Sequence, residues 1–282
     1  GEGDDVIKVN NSSDDVVTSD ITLNGGKGDD TISVGLGLVE LDGQVNPGIL
    51  TFKGLVDGGE DDDTISVARA DNATLKGGAG DDEITGSDGN DFIYGGEDND
   101  TLDGGDGNDE IRGNEGIDII RGDNGDDFIN GNEGADAIYG GIGSDELRGG
   151  DGDDELRGDE GDDDIRGNNG NDILDGGDGD DYMFDNLEEG NRYVLSSGLD
   201  VIHQYDCTSD TLILPYGADS DSYNVDVGGQ VPDLADEYKW KEVVVDKWNP
   251  TSLTVTFNQN EITYKTYILN SCGQKPEPVP GF

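Results

Sequence analysis

Aspartate returns every nine residues along the middle of this chain, at Asp82, Asp91, Asp100, Asp109, Asp118, Asp127, Asp136, Asp145, Asp154, Asp163, Asp172 and Asp181. Each stands at the sixth place of a nine-residue block that opens with glycine and carries an aliphatic residue or methionine at its eighth place. Carboxylates repeated at a fixed spacing among glycines supply a row of hard oxygen donors. Calcium favours such donors, taking about six to eight oxygens from carboxylates, main-chain carbonyls and water. The carbonyl donors expected in the same loops belong to Gly78, Gly80, Gly89, Gly96, Gly105, Gly107, Gly116, Gly125, Gly134, Gly143, Gly152, Gly161, Gly170 and Gly179. Asp30 and Asp63 hold the same place in two outlying blocks, GGKGDDTIS and GGEDDDTIS, and complete the set of candidate metal ligands.

The elements that position these residues follow from the period. Residues 77–184 divide without remainder into twelve blocks of nine, from GGAGDDEIT at Gly77 to GGDGDDYMF at Gly176. No helix or simple hairpin has that period, whereas stacked solenoids do. Glycines at the first and fourth places open backbone conformations closed to other residues, so the first six residues are expected to form a tight loop. Asp98 takes the fourth place in the block from Gly95, and Asp61 in the block from Gly58. The last three residues of each block are expected to be extended, with the eighth-place side chain, from Ile84 and Ile93 to Met183, facing a core. One apolar side chain per nine residues makes a thin core, so bound cations must supply much of the stability.

The pattern GGxGxDx-aliphatic-x resembles the RTX family, the hemolysin-type calcium-binding nonapeptide repeat proteins. The resemblance implies an all-β chain folded as a right-handed parallel β-roll, with two nonapeptides per turn. Calcium ions would lie between loops two repeats apart, in rows along both edges and on the order of ten or more in number. Asp82 and Asp100 would then share one side, and Asp91 and Asp109 the other. It further implies secretion to the outside of the cell or the cell surface, through a type I machinery that reads a C-terminal signal.

Charge points the same way. With 67 acidic and 16 basic residues the net charge is −51. Such a chain repels itself and stays disordered unless cations neutralise it. Nucleic acid is excluded as a partner, because phosphate binding needs a basic surface. No apolar run approaches the roughly 18 residues of a membrane span. The arginines at ninth places, Arg112, Arg121, Arg148, Arg157 and Arg166, are expected on solvated faces beside acidic neighbours.

Three regions are expected: irregular repeats over 1–76, the regular roll over 77–184, and a β-rich capping module with a Pro-rich tail over 185–282. GEGDDVIKV at the start is a block lacking its first glycine, so the chain is expected to begin in mid-repeat. Asn10 opens a degenerate copy, NNSSDDVVT. ARADNATLK keeps Leu75 at the core place but has no sixth-place aspartate, so one edge is expected to lack calcium over 19–76. VGLGLVELDG and Pro47 suggest an excursion from the roll. After Phe184 the register stops, and 185–194 reads as a connector. GLDVIHQYDCTSDTLIL then suggests two short strands and resembles the closing segment of serralysin-type RTX proteins, with Gly198, Asp200, Ile202, Tyr205, Asp210, Leu212 and Leu214 in place and Gln204 departing from it. LTVTFNQNEITYKTYIL, preceded by Trp240 and Trp248, reads as two strands.

Cys207 and Cys272 are either a disulfide or two thiols, since spacing does not show proximity. His203 is the only histidine, which excludes an H-E-x-x-H zinc site, and no G-x-S-x-G elbow occurs. The chain therefore reads as non-catalytic, with room for a catalytic domain upstream of Gly1. The expected function is calcium-coupled folding outside the cell, serving secretion and stability of a larger protein. The alternatives are a cell-surface or adhesion protein, with the roll as spacer and the C-terminal module binding glycan or protein, and the non-catalytic part of a secreted RTX enzyme.

Overall fold

Two nine-residue blocks carry the chain once around a parallel β-roll. Thr101–Asp106 leaves the loop that ends at Asp100, Glu110–Glu115 leaves the loop that ends at Asp109, and Ile119–Asn124 returns to lie beside Thr101–Asp106. In the parallel register Leu102 faces Ile120, eighteen residues on, and Ile93 faces Ile111 in the opposite sheet. The structure is a computed structural model and describes residues 1–11, 17–19, 22–36, 39–41, 44–46, 50–52, 54–68, 72–186, 190–194, 199–203, 210–213, 223–226, 242–243, 252–259 and 262–269. Among these, sheets of twelve and thirteen strands form the body of the roll. No helix among the described residues is long and apolar enough to cross a membrane.

The strands are longer than the sequence suggested. They run from the seventh place of one block through the third place of the next, six residues in Glu146–Asp151 or Glu155–Glu160. The turn is thereby confined to the fourth to sixth places. Glycines seldom favour strands, but parallel pairing asks only for main-chain groups, and stacked neighbours supply them. Within each strand the eighth-place side chain and the first-place glycine point inward.

The core is two facing columns of single side chains. Leu75, Ile93, Ile111, Ile129, Leu147, Ile165 and Met183 form one, and Ile84, Leu102, Ile120, Ile138, Leu156 and Leu174 the other, all at most 1% exposed. Both columns continue past Phe184, contrary to the expected stop: Ile202 stacks on Met183, and Tyr193 stacks on Leu174 in a strand that pairs in turn with Thr211–Ile213. Within the stretch expected as a connector, Arg192–Val194 is a strand of the roll. The step between turns lengthens here from eighteen to nineteen residues, which hides the continuation from a nine-residue count.

Both expected strand pairs beyond this point are present. Leu199–His203 and Thr211–Ile213 are the first. Ser252–Gln259 pairs antiparallel with Ile262–Leu269, which lies parallel to Leu199–His203, and Tyr223–Asp226 forms the outer strand. Glu242–Val243 pairs with Thr211–Ile213 at the end of the other sheet. At the N-terminal end Val6–Asn11, Thr31–Leu36 and Thr64–Val67 extend one sheet, while Thr22–Lys27 and Leu55–Glu60 extend the other. The degenerate copy from Asn10 keeps Asn10 and Asn11 in the first of these strands, but its own strand Val17–Ser19 pairs apart from the roll, with Leu50–Phe52. Val39–Leu41 and Gln44–Asn46 form a separate small hairpin where the excursion was expected. Cys207, Cys272, Trp240, Trp248, Asp15, the side chain of His203 and the Pro-rich tail lie outside the described residues.

Candidate metal centre

Along each edge of the roll the sixth-place aspartates are joined into a ladder. The main-chain N–H of Asp82 donates to Oδ1 of Asp100 at 2.9 Å, and the same bond runs from Asp100 to Asp118, from Asp118 to Asp136, from Asp136 to Asp154 and from Asp154 to Asp172, each at 2.8 Å. The other edge repeats it from Asp91 through Asp109, Asp127, Asp145 and Asp163 to Asp181, at 2.7–3.0 Å. Asp82 and Asp100 therefore share one side, and Asp91 and Asp109 the other. The first edge reaches back through Asp63 and Asp30 to Asp5. At the start of the second edge stands Ala73, whose N–H donates to Asp91. Among the described residues before Asp82, the buried aspartates Asp30 and Asp63 thus belong to one edge alone.

Oδ1 is spent on the ladder and Oδ2 is left over. In Asp30, Asp63, Asp82, Asp100, Asp109, Asp118, Asp127, Asp136, Asp145, Asp154, Asp163 and Asp181 the Oδ2 atom is buried without a hydrogen-bond donor. Burial, reinforced by neighbouring carboxylates and opposed by the ladder bond, pushes Asp82 and Asp109 up from 3.8 to about 7, and Asp100, Asp154 and Asp181 to about 8.

First-place glycines show what space the leftover oxygens face. A Cβ built on Gly95 would overlap Asp100 Oδ2 and stand 2.8 Å from the carbonyl oxygen of Gly113. The same pair of oxygens meets at Gly113, Gly131 and Gly149 on that edge, and at Gly104, Gly122 and Gly140 on the other. Each cradle brings together one carboxylate oxygen and one carbonyl oxygen from adjacent turns, with no donor between them. Such paired oxygens are the kind of donor a hard cation takes. Among the described residues no cluster of three acidic, histidine or cysteine side chains forms, because each turn contributes only one sixth-place carboxylate and the main chain supplies other oxygens.

The glycines expected as carbonyl donors have a second role. Gly96 and Gly105 at second places, and Gly107, Gly116 and Gly125 at fourth places, all have φ between 101° and 145°. The substitutes obey the same geometry: Asp61 and Asp98 have φ of 81° and 77°, and Asn114 and Asn132 have 84° and 80°. Asparagine and aspartate tolerate this left-handed region better than other residues with a Cβ. Beside the leftover Oδ2 atoms the cradles also bring the carbonyls of first-place glycines, which were not among the expected donors.

Further residues extend the ladders beyond the expected set. Asp172 N–H donates to Asn191 Oδ1, and Asn191 N–H to Asp210; on the other edge Asp181 N–H points to Asp200 Oδ1 at 3.5 Å. Asp185, fully buried, takes the first place normally held by glycine, and its Oδ2 lies with Asp172 Oδ2 at the open side of Gly167. In the sequence Asp200 and Asp210 stand out only as part of the closing-segment resemblance, not as ladder members, and Asn191 and Asp185 do not stand out at all. The arginines lie on the outer faces as expected: Arg112 pairs with Glu110, Arg166 with Asp164, and Arg157 lies 3.5 Å from Asp175. Along the second edge, fifth- to seventh-place side chains line an open acidic groove of about 770 Å³.

Fold and site together define a parallel β-roll with a row of oxygen cradles on each edge, a cation-binding repeat protein. The chain belongs to the RTX calcium-binding nonapeptide repeat family, whose four-copy repeat model matches residues 22–37, 67–102, 76–111, 103–138, 112–147 and 148–183. Comparison with curated proteins finds no match. Among solved structures, the extracellular lipase LipA from Serratia marcescens aligns over 67% of this chain at 17% identity. The alignment spans 37% of the lipase, and at a TM-score of 0.24 the likeness is too loose to bear on function.

Proposed function

We propose that this chain is a calcium-dependent folding module of a secreted protein, unfolded where calcium is scarce and folded after export. The observation that carries the reading is the row of buried Oδ2 atoms without donors. At even about 1 kcal/mol each, twelve such atoms match the roughly 5–15 kcal/mol of net stability that a whole domain has. The metal-free roll is therefore too costly to persist, and calcium, when bound, supplies the positive charge that these oxygens face. The residues we assign as ligands are the sixth-place aspartates with carbonyls of their loops, giving on the order of ten ions. Sites with dissociation constants of ~10⁻⁴–10⁻³ M, as in extracellular modules, stay empty in the cytosol and fill outside the cell. Binding and folding are then one event. The strands that close both sheets after Ile202 serve as a cap, since an open solenoid end exposes its core and an unpaired edge.

The test is far-UV circular dichroism during a calcium titration, with magnesium as control. A cooperative change from disorder to strand near millimolar calcium is expected. Magnesium should fail to produce it, because it demands tight octahedral geometry and sheds water reluctantly. A chain already folded in excess chelator would sink the proposal.

A further inference from the structure

One rung of the second edge is built differently from the rungs stacked on it. In the block GSDGNDFIY the second place is Ser87, and Asp91 Oδ2 accepts both the Ser87 N–H and the Ser87 Oγ hydrogen, each at 2.8 Å. Asp91 Oδ1 meanwhile accepts the Ala73 N–H at 2.6 Å. Both oxygens of this carboxylate are therefore satisfied by the protein. Asp109, Asp127, Asp145 and Asp163, stacked along the same edge, keep a buried Oδ2 without a donor.

The carboxylate has also swung away from its cradle. A Cβ built on Gly86 stands 3.0 Å from Asp91 Oδ2, farther than at the first-place glycine of any other described block. The Gly104 carbonyl still borders this cradle, so the carbonyl half is intact while the carboxylate half is turned toward serine. Below this rung the sixth place is Ala73, which offers no carboxylate at all. Serine at the second place and alanine one turn earlier thus coincide at the end of the row.

We infer that Ser87 closes the rung between the loops ending at Asp91 and Asp109 to metal, so that the second-edge calcium row starts with the cradle of Asp109. The inference rests on the calcium reading above. Ser87 acts as an internal stand-in for a cation: its hydroxyl and amide deliver to Asp91 Oδ2 the positive partial charge that an ion supplies elsewhere. This rung can form without calcium, next to the segment where the second edge has no ligands.

Native mass spectrometry of the full chain, with calcium and after chelation, counts the ions. Ser87→Gly restores the residue found at Gly78, Gly96 and Gly105 and should bind one ion more than the parent chain. Asp91→Asn should leave the count unchanged, whereas Asp109→Asn, which keeps an Oδ1 acceptor for the ladder, should lower it by one. Loss of an ion in Asp91→Asn, or an unchanged count in Ser87→Gly, would overturn the inference while leaving the calcium reading intact. A parent chain that binds no calcium would overturn both.

Discussion

At the scale of the residue, each sixth-place carboxylate divides two tasks between two oxygens. In Asp136, Oδ1 accepts the Asp118 N–H at 2.8 Å, while Oδ2 faces the cradle. Asparagine can carry out the first task and not the second, as Asn191 shows by accepting the Asp172 N–H at 2.9 Å. Asp136→Asn should therefore keep the ladder, lose one ion and raise the calcium midpoint of folding. Asp136→Ala should lose the ion and, in addition, about 1–3 kcal/mol for the orphaned Asp118 amide. Chemical denaturation of both variants at saturating calcium separates these terms. Acidity gives a second handle. Burial holds Asp118 and Asp145 at about 7 and Asp100 and Asp154 at about 8 in the metal-free fold, against 3.8 ordinarily. Between about pH 4 and 8 the folded state then binds more protons than the unfolded chain, so raising the pH destabilises the metal-free roll. Loaded sites need ionised carboxylates and run the other way. In chelator, strand signal should be larger at pH 4.5 than at pH 8, and the calcium midpoint should climb as the pH falls from 8 to 6. Circular dichroism across that range would refute this if both trends were flat.

At the scale of the element, the unit is a six-residue strand and a three-residue turn, and its first and second glycine places are not equivalent. A Cβ at Gly131 would overlap Asp136 Oδ2 and approach the Gly149 carbonyl to 2.8 Å, filling the cradle itself. Gly150, at a second place, has φ 132°, where a Cβ would overlap the Asn132 carbonyl oxygen, but Asn132 and Asn168 hold the same place in the turns on either side at φ of 80° and 79°, away from any cradle. Gly131→Ala should cost one ion and shift the calcium midpoint upward, whereas Gly150→Asn should preserve the ion count; calorimetric titration distinguishes the two. This contrast also marks what the sequence made legible. The period, the carboxylates from Asp82 to Asp181 and the inward column from Ile84 to Met183 follow from fixed spacing, since identical blocks must take identical environments. Asn191 escaped because one added residue per turn breaks the count while the stacking tolerates it. For the same reason Asp200 and Asp210 were legible only through the closing-segment resemblance and not as rungs of the ladders. Asp185 escaped because a carboxylate there stands where every regular block has glycine. The first-place carbonyls were hidden for another reason: which backbone oxygens converge depends on how turns stack, and no side chain reports it.

At the scale of the whole molecule, two different forces could make the fold depend on calcium. One is long-range repulsion within a chain of net charge −51. The other is local: carboxylate and carbonyl oxygens packed into cradles with no donor, at twelve buried positions along two edges. They respond oppositely to simple salt. At 1 M the Debye length is about 3 Å, so repulsion between exposed charges is largely removed. Screening does not reach the buried oxygens, because sodium in bulk solution supplies neither a hydrogen bond nor a divalent charge inside the cradle. The outer faces pair only a few of their acids, as Arg112 does with Glu110 and Arg166 with Asp164, and such exposed pairs contribute only about 0–1 kcal/mol each. The local force should therefore dominate. In chelator at pH 8, where the buried carboxylates are most ionised, the chain should remain without strand signal from low salt to 1 M sodium chloride, and millimolar calcium should fold it at either salt concentration. High salt should raise the calcium midpoint modestly, by weakening the field that draws the cation to the edges. Folding by sodium chloride alone would make the charge of the whole chain the switch, and the cradles passengers on it.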